Sequence, residues 1–189
     1  MKIWLTSDTH FSHANIIKYC NRPFHTVDEM NSAIIHQWNE QVSPEDIVIF
    51  CGDFCFARTA EAAEVTERFA RALHGYLIIV KGNHDFKKFR YTDVGFSAEW
   101  YQEFIFNDRF SFRHRPEDLI IDSKLFDFIF YGHVHNTPLD YKAPINCINA
   151  CLDANDLKLI DITNYFTAKE IEMLKDLVNY NEHPEEDDD

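Results

Sequence analysis

Tyr76-Leu77-Ile78-Ile79-Val80-Lys81-Gly82-Asn83-His84-Asp85 is the stretch that decides the architecture. Five apolar residues run without a polar break. The chain then turns at Gly82 and offers an amide, an imidazole and a carboxylate in succession. A short unbroken run of this kind, rich in β-branched residues, reads as a strand buried on both faces. Helix-covered parallel sheets bury strands that way and gather ligands beyond their carboxyl ends. Asn83 is a neutral oxygen donor, useful where hard metal ions already meet carboxylates and imidazoles. His84 beside it is then free to handle a proton. Gly-Asn also ends strands as an ordinary turn, so other residues sent to the same edge must carry the assignment.

Upstream, Ile47 to Cys51 is an apolar strand leading into Gly52-Asp53, and Lys2 to Ser7 is one leading into Asp8-Thr9-His10. Helical character around Asn15 to Tyr19 stops at Asn21-Arg22-Pro23. Thr26-Val27-Asp28-Glu29 is a capping box, and Met30, Ile34 and Trp38 follow at helical spacing. A further helix over roughly Ala60 to Leu73 puts Val65, Phe69 and Leu73 on one face, and Gly75 can cap its C-terminus. The order β-α-β-α-β predicts a parallel sheet covered by helices.

Downstream, Trp100 to Phe106 and Phe110 to His114 flank the turn Asn107-Asp108-Arg109 and predict a hairpin. Phe126 to Tyr131 is a strand ending in Gly132-His133-Val134-His135. Strands near Cys147 to Leu152 and Leu157 to Ile162 predict an antiparallel finish. Thr167-Ala168-Lys169-Glu170 is a second capping box, opening a last helix with Ile171, Leu174 and Leu177 facing inward. With no repeat and no linker, residues 1–184 read as a single domain and 185–189 as an acidic, disordered tail.

Of the 189 residues 46% are hydrophobic and seventeen are Phe, enough for a packed core. No apolar run approaches the roughly 20 residues that span a membrane. Met1 to Asp8 turns polar too early for a signal peptide, and five scattered Cys read as reduced, buried thiols and not as a disulfide framework. A cytoplasmic protein is expected. The net charge is −14, of which Glu185 to Asp189 contribute five, leaving −9 on the body. An acidic body argues against extended nucleic-acid binding, yet it allows a small phosphorylated substrate, because bound divalent ions reverse the local field.

The chemistry lies in what the strand ends share. Asp8 and His10 are two apart, as are His133 and His135, and in extended backbone such a pair points one way. Asp53 and Asn83 come from two further strand ends, and His114 from the hairpin. These seven residues offer oxygen and nitrogen donors without thiolate, a set suited to Mn²⁺, Fe, Zn²⁺ or Mg²⁺. One ion does not need seven protein ligands. Two ions about 3.5–4 Å apart, sharing a carboxylate, do.

Asp8-Thr9-His10, Gly52-Asp53, Gly82-Asn83-His84-Asp85, His114 and Gly132-His133-Val134-His135 together resemble the calcineurin-like metallophosphoesterase superfamily, in the family's order. The resemblance implies an α/β fold, a four-layer α/β/β/α sandwich of two mixed sheets flanked by helices, with a dinuclear centre at its edge. It implies that Asp8, His10, Asp53 and His135 hold one ion, and that Asp53, Asn83, His114 and His133 hold the other. Manganese is the expected metal. His84 would contact the phosphate or protonate the leaving oxygen, and Asp85 would orient His84. The stretch from Asp8 through Asn15-Ile16-Ile17 to Asn21-Arg22-Pro23-Phe24 is similar to a compact bacterial and phage branch of predicted phosphoesterases.

His13, Asn15 and Arg22 are candidate substrate contacts, balanced against capping for Asn15 and surface ion pairing for Arg22. His13 is also the rival to His114 as a ligand should the hairpin be misread. Lys81, Lys87, Lys88 and Arg90 read as a solvated charge run. The expected activity is hydrolysis of a phosphoester, with a lean to small diesters. A non-catalytic scaffold of the same fold and a nuclease acting on single strands are the alternatives.

Overall fold

A computed structural model describes residues 1–56, 62–85 and 98–182, with the side chains of 98–100 and 179–182 excepted. The tail at 185–189, the first residues of the helix expected from Ala60, and Lys87, Lys88 and Arg90 lie outside that description.

The first half alternates as expected: β1 (Ile3–Thr6), α1 (Ile16–Tyr19), α2 (Val27–Gln41), β2 (Ile47–Phe50), α3 (Ala62–Arg71) and β3 (Tyr76–Val80). Then come β4 (Ala98–Tyr101), β5 (Phe104–Phe106), β6 (Phe110–Arg113), α4 (Leu119–Asp122), β7 (Phe128–Tyr131), β8 (Cys147–Asn149), β9 (Ile160–Asp161) and α5 (Ala168–Glu182). Strands β4-β3-β2-β1-β9 form one sheet and β5-β6-β7-β8 the other. Both sheets are mixed, and helices flank them. In the first, β1 to β4 run parallel and β9 antiparallel to β1.

Period-two alternation explains the layers. Trp4, Val48, Phe50, Leu77 and Ile79 face α2 and α3, where Met30, Ile34, Trp38 and Phe69 meet them. Their neighbours Ile3, Leu5, Ile47, Ile49, Ile78 and Val80 face the second sheet. Both faces of the first sheet are therefore covered, which is why its strands read as unbroken apolar runs. Phe104, Phe106, Phe110, Phe112 and Phe130 fill the space between the sheets, with Phe112 and Phe130 stacked at 4.8 Å. Each such ring contributes about 1.5–3 kcal/mol by burial. Leu119 of α4 packs on Ile129 and Tyr131 across the outer face of the second sheet. That fourth layer is one helical turn and loops.

Three expectations need correction. The predicted hairpin strand over Trp100 to Phe106 is two strands, because β4 pairs with β3 in the first sheet and only β5 pairs with β6. The chain crosses between sheets at 102–103, and an apolar pattern does not encode which sheet a strand joins. The finish is not uniformly antiparallel. β8 runs parallel to β7, made possible by the long connection over 132–146. In the first capping box Thr26 accepts from the Glu29 N–H, but the Glu29 carboxylate reaches the His25 N–H. The second box closes reciprocally between Thr167 and Glu170.

Candidate metal centre

Five strand ends deliver the candidate residues to one rim shared by the two sheets. Asp8, Asp53 and Asn83 follow β1, β2 and β3, while His114 and His133 follow β6 and β7. Beyond β1 and β2 the loops stay paired: Asp8 N–H donates to Gly52 C=O at 2.9 Å, and His10 N–H to Asp53 C=O at 3.1 Å. The extended-backbone reason for the i, i+2 pairs does not hold. Asp8, His10, Asp53, His133 and His135 all have left-handed backbone, with φ of +58°, +51°, +59°, +74° and +52°. Non-glycine residues there carry strain that surrounding structure must hold, and such strain concentrates at functional sites. The glycines of the motifs serve close approach. A Cβ on Gly52 would stand 2.6 Å from His114 Nδ1, and one on Gly132 2.6 Å from Asp8 Oδ2.

The candidate ligand atoms fall into two separate triads, Asp8-His10-His135 and Asp53-His114-His133, with Cys20 and Asp153 grouped behind His135. Asp8 Oδ1 lies 3.6 Å from His10 Nε2 and 3.6 Å from His135 Nε2. Asp53 Oδ2 lies 3.6 Å from His10 Nε2 and 3.4 Å from His114 Nε2. These separations are too long for hydrogen bonds. They match donors around an ion with bonds of about 2.1 Å. Asp8 Oδ1 and the His10 ring nitrogens are buried with no hydrogen-bond partner among the described residues. Buried polar atoms left that way are costly, and a cation between them removes the cost. The residues therefore fit a metal ion.

The unused atoms of these ligands are tied down. Asp8 Oδ2 accepts from Ser7 Oγ, from Cys151 Sγ at 3.1 Å and from His133 N–H at 2.9 Å. Asp53 Oδ1 accepts from His84 N–H at 2.8 Å. His114 Nδ1 meets Cys51 C=O at 2.9 Å. A carbonyl only accepts, so Nδ1 carries the proton and Nε2 faces the site, where Asn83 Oδ1 is 3.0 Å away. His135 Nδ1 meets Asp153 Oδ2 at 2.7 Å, which aims its Nε2 at Asp8. A carboxylate behind a histidine is the usual way to orient a metal-binding ring.

The electrostatics follow. Burial would raise the Asp8 carboxyl, but the His10, His114 and His135 imidazoles overrule it and hold it well below the usual range. Asp53 is lowered for the same reason, with burial outweighed chiefly by His114. Burial opposes a charged His135, yet Asp153, Cys20 and Asp8 push its pKa up to about 10. Burial, His114 and Arg115 lower His133.

Two clefts open from this rim. One, of about 310 Å³, is lined by His13, Ile16, Tyr19, His84 and Thr137 beside His10, Asp53, His133 and His135. The other, of about 400 Å³, runs past Asn83 and His114 to Lys81, Gln102, Arg113 and Arg115. His84 is exposed at the first cleft, with its ring centroid 5.4 Å from that of His10. His13 belongs to that cleft's wall, and His114 takes the place in the triad for which the two were rivals.

Arg22, Asp85 and Asn15 depart from expectation. Arg22 is buried, with two hydrogen bonds to Asp153 (2.8 and 2.9 Å) and one each to the carbonyls of Thr9 (2.8 Å) and Asp8 (2.7 Å). Its donors are used behind the ligand loop, so it is a brace and not a substrate contact. The Asp85 carboxylate accepts the N–H groups of Gly82, Asp53 and Phe54. It therefore ties the β2 and β3 loops together instead of orienting the His84 ring. Burial pushes its pKa up to about 6 against those three donors. Asn15 sits exposed at the N-cap of α1 without a side-chain cap bond and lines neither cleft.

Sequence reasoning missed Asp153, which lies beyond the recognisable motifs in a short 3-10 turn (Leu152–Ala154). It also missed Arg115, 3.3 Å from His133 Nε2 and 3.4 Å from Asn83 Oδ1. Its place directly after His114 was the available signal. All five cysteines are free. Among the described residues no helix is long and apolar enough to cross a membrane.

The sequence pattern of the calcineurin-like phosphoesterase superfamily domain matches residues 1–150. An uncharacterized protein of Methanocaldococcus jannaschii is 36% identical over 167 residues, covering 87% of this chain and 84% of that protein. A protein of unknown function from Aquifex aeolicus superposes with a TM-score of 0.62 at 26% identity, over 92% of this chain and 98% of that one. A structure described as a novel archaeal phosphodiesterase aligns more loosely, with a TM-score of 0.45 and 22% identity over 79% and 82% of the two chains.

Proposed function

The chain belongs to the calcineurin-like phosphoesterase superfamily, and on that premise we propose that it hydrolyses small phosphodiesters at a centre of two divalent ions. The observation that carries the proposal is Asp53 Oδ2. This one oxygen faces His10 Nε2 at 3.6 Å and His114 Nε2 at 3.4 Å, between the two triads. A shared carboxylate is what a two-ion centre requires. Asp8, His10, Asp53 and His135 would hold one ion, and Asp53, Asn83, His114 and His133 the other. Mn²⁺ is the ion proposed, and the thiolate-free set of carboxylate, amide and imidazole donors is also compatible with Fe, Zn²⁺ or Mg²⁺.

Bound ions supply a water nucleophile at neutral pH and neutralise charge on the phosphoryl oxygens. The chain supplies the rest. His84, whose N–H is held by Asp53 Oδ1, stands at the cleft rim and donates a proton to the departing oxygen. The Arg115 guanidinium, half-exposed beside Asn83 and His133, can fork onto a phosphoryl oxygen. Arg115 thus takes the role that sequence reading gave to Arg22. A cleft on each side of the centre accommodates two ester arms, which favours a diester over a monoester. Five free thiols fit a reducing, cytoplasmic setting.

The test is turnover of bis-p-nitrophenyl phosphate and p-nitrophenyl phosphate with each of Mn²⁺, Fe²⁺, Zn²⁺ and Mg²⁺. Metal-dependent hydrolysis, faster for the diester and abolished by EDTA, is expected. No turnover in any combination, extended to a broad phosphoester panel, refutes the proposal.

A further inference from the structure

The two clefts differ in chemistry, and His84 distinguishes them. The larger one is walled by Lys81, Glu103, Arg113, Arg115, Glu117 and Asp118, a charged surface that suits a hydrophilic group. The smaller one contains His84 and is built from rings. His13 stacks on Phe56 with centroids 4.0 Å apart and planes 15° from parallel, which makes a flat floor. Tyr19 stands edge-on to His13 at 6.1 Å and 74°, which makes a wall at nearly a right angle to it.

Tyr19 is 72% exposed, although Ile16 on the same helical turn is buried. Its large apolar face therefore contributes little to the core. It lines the same cleft as His84, the residue that would protonate the leaving oxygen, and His13 is in ring contact with both.

We infer that the cleft flanked by Tyr19 and His13 is the leaving-group subsite, and that it takes an alcohol bearing a planar ring. An aryl group and a nucleobase share that chemistry. The retained arm of the diester lies in the charged cleft. This assignment rests on the phosphoesterase reading above, because the proton donor identifies the side from which the alcohol departs. A ring entering the right-angled corner stacks face-on against one aromatic and edge-on against the other, both favourable arrangements. Tyr19 gives affinity for the ring and takes no part in bond breaking.

Calorimetry on Mn²⁺-loaded protein with benzylphosphonate and methylphosphonate tests the subsite. The two ligands share the phosphonate, differ in the ring and cannot be hydrolysed. Wild type and Tyr19→Phe should bind the benzyl ligand about tenfold more tightly than the methyl one, the scale of one stacked ring. Tyr19→Ala should keep only the smaller preference that His13 alone provides, about threefold or less, with methylphosphonate affinity the same in all three proteins. Absence of a ring preference in the wild type, or its survival undiminished in Tyr19→Ala, overturns the inference. Turnover of bis-p-nitrophenyl phosphate, measured in parallel, separates the two levels. Hydrolysis without a Tyr19-dependent preference removes the subsite and leaves the phosphoesterase. A Tyr19-dependent preference without hydrolysis leaves a ring-binding corner but removes the phosphoesterase reading, and the leaving-group assignment with it.

Discussion

Arg22→Met removes a buried cation while keeping an unbranched apolar stem of similar length. In the native protein the Arg22 side chain is 1% exposed and that of Asp153 2%. Four hydrogen bonds of 2.7–2.9 Å join Arg22 to Asp153 and to the carbonyls of Asp8 and Thr9. Breaking a buried pair by deleting one partner costs about 3–5 kcal/mol, because the other charge stays buried and uncompensated. Asp153 keeps His135 at 2.7 Å, which places the expected loss at the lower end, about 3 kcal/mol. Urea unfolding of the metal-free protein measures it. Adding Asp153→Asn should recover about 1–2 kcal/mol relative to Arg22→Met alone, since the stranded charge is gone. Arg22→Lys should fall between wild type and Arg22→Met, because one ammonium cannot span four acceptors in the geometry of a planar fork. The same perturbation loosens His135, so divalent-metal affinity by calorimetry should drop about 10- to 100-fold. Stability within about 0.5 kcal/mol of wild type, with only KM raised, would refute the brace and return Arg22 to the substrate.

Two further outcomes concern other contacts. Asn83→Ala should reduce metal occupancy, whereas His84→Ala should bind metal like the wild type and lose about 10²–10⁴-fold in turnover; calorimetry showing equal metal loss in both would end the division of labour between these neighbours. Far from the site, Glu170 takes hydrogen bonds from Thr167, Asn107 and Arg109, which outweigh its burial and hold its pKa at about 2 against an ordinary 4.5. A depressed carboxyl stabilises the fold fully above its unfolded pKa and loses that contribution as pH falls through its folded one. Acid unfolding curves should therefore show on the order of 3 kcal/mol lost between about pH 4.5 and pH 2, and Glu170→Gln should flatten that part of the curve. An unchanged slope in the variant would show that Glu170 is not the group responsible.

Much of the candidate site was legible because its parts are local. Each candidate ligand follows a strand whose apolar run is visible, and strand ends at one edge converge without further information. Asp8, His10, Asp53, Asn83, His114, His133 and His135 all arrive at the rim. Asp153 was not legible. It acts on His135 from another part of the chain, in a turn with no pattern of its own. Arg22 was misread because an arginine among polar neighbours looks the same whether its fork faces solvent or the buried carbonyls of Asp8 and Thr9.

By itself, then, the sequence determined the helix-covered sheet, the order of the strand ends and the donor types, since alternation, apolar runs and residue chemistry are properties of short segments. Tertiary structure decided which sheet each later strand joins, since pairing depends on partners distant in the chain: β4 beside β3, β5 beside β6, and β8 parallel to β7. It also decided how the paired candidate ligands converge, through left-handed backbone at Asp8, His10, His133 and His135. Such strained conformations are held by the surrounding hydrogen bonds and not chosen by the residues themselves. In Lys81-Gly82-Asn83-His84-Asp85 the same distinction appears within one turn. The residue types announced ligand, acid and carboxylate, and only the fold directed Asp85 to the backbone of Gly82, Asp53 and Phe54.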